Sequence, residues 1–226
     1  MALRPNLLSE IQAALGAAVT PSLTAQSAVS DLYEGYLFSL ILDAARTERA
    51  RVTLCSAGGG NPNPFVFRTS PGYLNSRQQN YGYAEIAFPR CPVLEAHVSV
   101  RVAGHSNVLH ECDVSVIDQA EATLCRGTTD RLAPRSARVR IAVEAKYYTT
   151  ALPLYQGRAF LGLVRDFSAD NAFFIFNGEA DSVERLLAHK KQQWEHRIEP
   201  TNAIPVSRLR NAFQTAFKNF RARTRA

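Results

Sequence analysis

The sequence predicts an α/β protein: a mixed β-sheet flanked by helices. Three observations carry that expectation. Apolar residues recur at helical spacing in the first fifty positions. Two alternating runs around 93–117 read as an antiparallel hairpin. From 138 onward, short apolar strands alternate with helical patterns, as in helix–strand–helix units.

Taken in order, residues 6–18 read as a helix with Leu7, Leu8, Ile11 and Leu15 on one side. A stronger helix is expected over 27–49, where Leu32, Tyr36, Leu40 and Ala44 share one stripe, extended by Leu37, Ile41 and Ala45. Asp31 and Glu34 lie near its start, where negative charge suits the free amide groups. Residues 51–55 and 65–67 are candidate short strands, separated by Gly58, Gly59 and Gly60. That glycine run lacks the Gly-Lys-Ser/Thr ending of a phosphate loop. Residues 74–92 read either as an exposed recognition loop, with Gln78, Gln79, Asn80, Tyr81 and Tyr83, or as irregular surface. Strands follow at 93–103 and 109–117, then a connection with a short helix over 118–137, then a strand at 138–146. Pro153 opens a helix over 153–167, because proline is tolerated in the first helical turn. Phe173–Phe176 form an apolar strand and Asp181 begins a helix to about 190. The last helix, 206–221, carries the stripe Val206, Leu209, Phe213, Phe217 and Phe220.

A chain of 226 residues with 46% hydrophobic content can bury a core without disulfide or metal support. One domain over 1–226 is expected, with 1–25 as an N-terminal helical extension and 191–226 as a basic C-terminal one. The net charge of +6 is uneven: residues 185–226 alone carry +8. A basic segment of this kind suits a polyanion, nucleic acid first among them, or simply a solvated surface. The four cysteines, at 55, 91, 112 and 125, lack the close spacing of a zinc knuckle. No secretory leader and no membrane span is expected, which points to reduced thiols and a cytoplasmic protein.

The chemistry concentrates on two strands. Alternation places Glu111 and Asp113 on one strand face and Cys112, Val114 and Val116 on the other. On the later strand it places Glu144 and Lys146 together, with Ile141, Val143 and Ala145 opposite. If the strands are neighbours, Asp113, Glu144 and Lys146 converge. Two carboxylates offer hard oxygen ligands to Mg²⁺, and the small Ala145 leaves its backbone carbonyl as a further ligand. Such a metal lowers the pKa of bound water and stabilises charge on a phosphate. Lys146 would hold or orient the attacking water, and would be a base only if its pKa were depressed. Charges at alternate positions also describe a plain solvated sheet face.

The run His110–Asp118 followed by Ile141–Tyr148 resembles the active-site core of the PD-(D/E)xK superfamily, the restriction-endonuclease-like nucleases. The resemblance covers mainly 110–165. It implies a restriction-endonuclease-like sheet, with Asp113 as metal-binding acid, Glu144 as second acid and Lys146 as catalytic lysine. It also implies an acid from an N-terminal helix, for which Glu34 matches best and Asp31 less well, and a supporting glutamine, Gln156. Cys112 stands where a proline often precedes the first Asp, and the long interval from Asp113 to Glu144 requires an insertion at 118–137.

The function so implied is a Mg²⁺-dependent DNA endonuclease, with Mn²⁺ as substitute, in restriction or anti-phage defence. Double-stranded DNA is the expected partner, and a homodimer would let two sites cut opposing strands. Arg77, Arg158, Lys190, Lys191, Arg208, Arg210 and Lys218 are the residues expected to meet phosphates, which positions a duplex without reading it. Tyr147 and Tyr148 either pack against the following helix or stack on a nucleotide, and Arg165 faces a phosphate or a surface acid. Glu111 is a candidate orienting group and His110 should point away from the metal. His97, His105, His110 and Cys112 do not make a recognised zinc pattern. The alternative function is a nuclease-fold protein that binds nucleic acid or assembles without effective cleavage, or a nuclease effector activated by a small ligand or another subunit.

Overall fold

The computed structural model describes residues 3–75 and 80–224. Its chain order is α1 (Leu3–Leu15), α2 (Val29–Thr47), β1 (Arg51–Ser56), β2 (Gly82–Ala87), β3 (Leu94–Ala103), β4 (Leu109–Asp118), α3 (Gln119–Gly127), β5 (Val139–Lys146), α4 (Leu154–Asp166), β6 (Ala172–Phe176), α5 (Asp181–His189), β7 (Gln193–Glu195) and α6 (Ala203–Thr224). The strands form one open seven-stranded sheet in sequential order, β1 to β7. Strands β1 to β5 pair antiparallel; β5–β6 and β6–β7 pair parallel. The architecture is thus an α/β fold with a mixed, unclosed sheet between helices. No helix among the described residues is long and apolar enough to cross a membrane.

Burial explains the layers. Helix α2 is apolar on nearly every side, so it lies inside the protein, packed between the sheet, α1 and α6. Leu7 and Ile11 of α1 and Leu209, Phe213 and Phe217 of α6 join the same core, so both terminal helices belong to the main body. Gly35 permits the close approach of α1: a Cβ there would lie 2.9 Å from Leu23 Cδ1 and 3.0 Å from Ile11 Cδ1. The opposite sheet face is covered by α3 at one end and by α4 and α5 at the other.

Two strands escape the sequence pattern. The β2 segment, Gly82–Ala87, is rich in residues of low strand propensity and lies within the region expected to be irregular. The β7 strand has only three residues. Conversely, Phe65 makes a single bridge to Pro21 rather than a strand.

Strict alternation fails on β5, where a register shift puts Val139 and Ile141 in different cores, and again on β3 and β4. The ladder pairs Val98 with Val114 and Val100 with Cys112. Val98 and Val114 pack in the α2 core, whereas Val100 and Cys112 pack in the α3 core. Between them Ser99 has a left-handed backbone, φ +50°. The strand pair changes face there, and Cys112 does not share a face with Val114 and Val116 as alternation requires.

Candidate acid–lysine site at a strand fork

The site forms where β4 and β5 part. Their ladder ends at Val114↔Val143, yet β4 reaches back to Leu109 and β5 on to Lys146. Asp113 fills the resulting fork. Its Oδ2 accepts the Ala145 backbone N–H at 2.6 Å, replacing the rung that the neighbouring strand no longer supplies. Lys146 Nζ lies 2.6 Å from Glu144 Oε1 and 3.8 Å from Asp113 Oδ2. The three residues that sequence spacing singles out are therefore together.

Helix α2 adds a fourth group. Glu34 accepts a hydrogen bond on Oε2 from the Ser99 hydroxyl at 2.9 Å and lies within electrostatic reach of Asp113 and Lys146. Asp31, one turn earlier, is half-buried and its pKa is raised by burial. Burial pushes the Asp113 carboxyl up to about 7, reinforced by Glu144 and only partly offset by Lys146 and the Ala145 amide. Burial and the Asp113 charge push Glu34 up to about 8. Both carboxyls are raised chiefly by burial, and the Asp113 charge adds to the rise at Glu34. Glu111 is raised by burial and by Glu144, placing it at the exposed rim of the same cluster. Burial alone would lower the Lys146 pKa; Glu144 and Asp113 outweigh it and hold Lys146 above its ordinary value. Lys146 is an ammonium donor at neutral pH, and the depressed pKa that a base would need is absent.

The donor chemistry suits a hard divalent cation. Burial and neighbouring acids oppose the ionisation of Asp113 and Glu34, and a cation would relieve that cost. Asp113, Glu34, Glu144 and the Ala145 carbonyl are the oxygen donors available. Among the described residues, however, no group of three or more acidic, His or Cys side chains is drawn together as a metal-holding set. Glu144 is instead closed on Lys146.

Other expected contributors lie elsewhere or are engaged. Gln156 gives its amide to the Tyr148 hydroxyl at 2.6 Å, tying the start of α4 to the end of β5. Tyr147 packs edge-on against Tyr33, ring centres 5.6 Å apart. His110 bonds Asp166 at 2.7 Å on the α4 side. Arg208 pairs with Glu195 at 3.0 Å, Arg210 with Glu10 at 3.8 Å and Asp43 at 3.9 Å, and Lys218 with Glu48 at 3.4 Å. Arg158, Lys190 and Lys191 are exposed and make no ion pair among the described residues. Arg77, Gln78 and Gln79 lie outside the described residues. Tyr81 is not part of an exposed loop: it is 2% exposed, and the Arg68 guanidinium lies 3.6 Å from its ring centre. Tyr83 stacks on His97, which bonds Glu95 at 2.9 Å; Arg126 grips the same carboxylate with two bonds of 2.5 and 2.6 Å. His97 thus spends one ring nitrogen on the buried Glu95–Arg126 cluster. Sequence reasoning misses Ser99, since nothing in a strand pattern marks a serine that will adopt positive φ.

The chain matches no family model, no curated protein and no solved structure.

Proposed function

We propose that this chain is a nuclease-fold effector, of the PD-(D/E)xK kind, whose acid–lysine site is closed until a nucleic acid, ligand or partner subunit opens it. What supports this is one juxtaposition: Asp113 and Lys146 meet at a strand fork while Glu144 is withdrawn onto Lys146 at 2.6 Å. The reaction is hydrolysis of a phosphodiester, with DNA the favoured substrate and Mg²⁺ or Mn²⁺ the metal. The metal, when bound, supplies Lewis-acid polarisation and a more acidic water. The chain's own residues do the rest. Asp113, Glu34, Glu144 and the Ala145 carbonyl provide oxygens at the fork. Lys146, held as an ammonium, donates to the attacking water or to a phosphate oxygen and balances negative charge as it develops. Proton removal from that water falls to solvent or to a carboxylate rather than to Lys146. Release of Glu144 from Lys146 frees both an oxygen donor and a cation in one movement.

The test is a cleavage and binding panel on duplex, branched and single-stranded DNA and RNA, with Mg²⁺ or Mn²⁺. The isolated chain should bind in a salt-sensitive way and cut slowly. Any cutting should be lost, by about 100-fold or more, in Asp113→Asn and Lys146→Ala, as expected when charge stabilisation is removed. Rapid turnover by the isolated chain would favour a constitutive Mg²⁺-dependent endonuclease instead. Unchanged cutting by both variants would remove the site assignment. Tight binding with no product under any activating condition would leave a nucleic-acid-binding or assembly role.

A further inference from the structure

Ser99 holds an uncommon backbone in the middle of a strand. Its φ of +50° is a region that serine rarely visits, and the residue is 2% exposed. Its neighbours keep it there. The Ser99 carbonyl accepts the Gly72 N–H at 3.1 Å, and the Arg101 N–H returns to the Gly72 carbonyl at 3.0 Å. On the other side, the pairs Val98↔Val114 and Val100↔Cys112 bracket it directly opposite Asp113. Glycine would satisfy this backbone at no steric cost. The chain carries serine instead, and its hydroxyl is given to one acceptor, Glu34 Oε2 at 2.9 Å, a residue 65 positions away on α2. Strain retained at a buried position tends to mark a functional constraint.

We propose that Ser99 is a positioning residue: its left-handed turn aims the hydroxyl at Glu34 and sets that carboxyl beside Asp113, so that acids from a helix and a strand face one cation. This rests on the nuclease reading above and deepens it. The hydroxyl engages only one oxygen of Glu34 and leaves the other for a ligand. It also restricts a long, flexible side chain that would otherwise lose rotamer freedom on each binding event. The same turn moves β3 and β4 from one core to the other, which brings Ser99 to the α2 side next to Val98.

Two substitutions separate positioning from structure, because they move stability and binding in opposite directions. Ser99→Gly relieves the backbone and deletes the hydroxyl. Ser99→Thr keeps the hydroxyl and worsens the backbone, since a β-branched residue is an outlier at positive φ. Thermal denaturation without metal and Mn²⁺ titration by calorimetry are measured on the full chain, with and without duplex DNA. Ser99→Gly should melt at or above the wild-type temperature yet bind Mn²⁺ about 10-fold or more weakly, the usual cost of losing a group that orients a ligand. Ser99→Thr should melt lower and keep near wild-type Mn²⁺ affinity. If Ser99→Gly binds Mn²⁺ as the wild type does, or if affinity simply follows melting temperature, the positioning role is overturned while the nuclease reading stands. If the wild type itself binds no Mn²⁺ with or without duplex DNA, the positioning role is overturned, while the closed-site reading, which also admits a ligand or partner subunit as opener, is decided by the cleavage panel.

Discussion

At the scale of single residues, the site is defined by carboxyls whose ionisation is resisted by burial and by neighbouring acids. Asp113 and Glu34 have folded-state pKa values pushed to about 7 and about 8, from ordinary values of 3.8 and 4.5. The sign follows from linkage. A carboxyl whose pKa is raised on folding contributes stability that is complete below its unfolded value and is lost as pH rises through its folded value. In a chelator, melting temperature should therefore fall between about pH 4 and pH 8 from this pair. Mg²⁺ should reduce that fall, because a cation favours the ionised forms, and Asp113→Asn should flatten the chelator profile. Melting curves across this pH range, with EDTA or with Mg²⁺, check both; a profile that Asp113→Asn leaves unaltered would contradict the assignment of the pair. Asp113, Glu144 and Lys146 are visible in the sequence because polar residues interrupt otherwise apolar strands. Glu34 is marked only by family resemblance, and Ser99 not at all. Hydroxyl residues are common in strands, and positive φ is imposed by the tertiary setting rather than by local preference.

At the scale of elements, patterns with a long period are the readable ones. The stripe Val206, Leu209, Phe213, Phe217 and Phe220 is buried as its spacing predicts, and α6 proves longer, beginning at Ala203 with Pro205 inside its first turn. Phe213 is fully buried against Phe173, ring centres 5.1 Å apart. Phe213→Ala should cost about 3–5 kcal/mol in urea unfolding, the range for deleting a buried aromatic ring. A loss below about 1 kcal/mol would show that α6 is not part of the core. Of the short strands, β1 and β6 stand where the sequence puts them, whereas β2 and β7 are not readable. With Gly82, Ala84 and Ala87 in six residues, β2 has little strand preference of its own, and it exists because β1 and β3 pair on either side. Alternation holds on β5 from Ile141 onward but breaks before it, where the register to β4 shifts and Val139 packs in the α3 core, and it fails on β3 and β4 because one residue turns the wrong way. The apolar spacing of α2 predicts one stripe, but the helix is wrapped by α1, α6 and the sheet.

At the scale of the whole molecule, net charge proves a poor guide to surface. The C-terminal excess of +8 suggests a basic patch, yet Arg208, Arg210, Lys218, Arg221 and Arg223 each pair with an acid from another element. A cation already paired loses part of what it would gain from a phosphate. Arg158, Lys190 and Lys191, which make no ion pair among the described residues, lie on α4 and just after α5, two helices that pack against each other. Replacing these three by Ala should weaken duplex binding and shallow its salt dependence, by roughly 0.9 in the log–log slope for each phosphate no longer neutralised. Arg208→Ala and Lys218→Ala should do so less. Binding isotherms at several salt concentrations measure both, and equal effects from the two groups would show that the internal pairs do not compete with a phosphate. The fork between β4 and β5 has its own consequence. A single side-chain oxygen there is both mortar and tool: it ties the amide of residue 145 across the gap and is the Asp113 oxygen that faces the lysine. A carboxylate oxygen keeps a second lone pair, so a ligand drawn to Asp113 would share that oxygen with the amide and pull on the seam without having to break it.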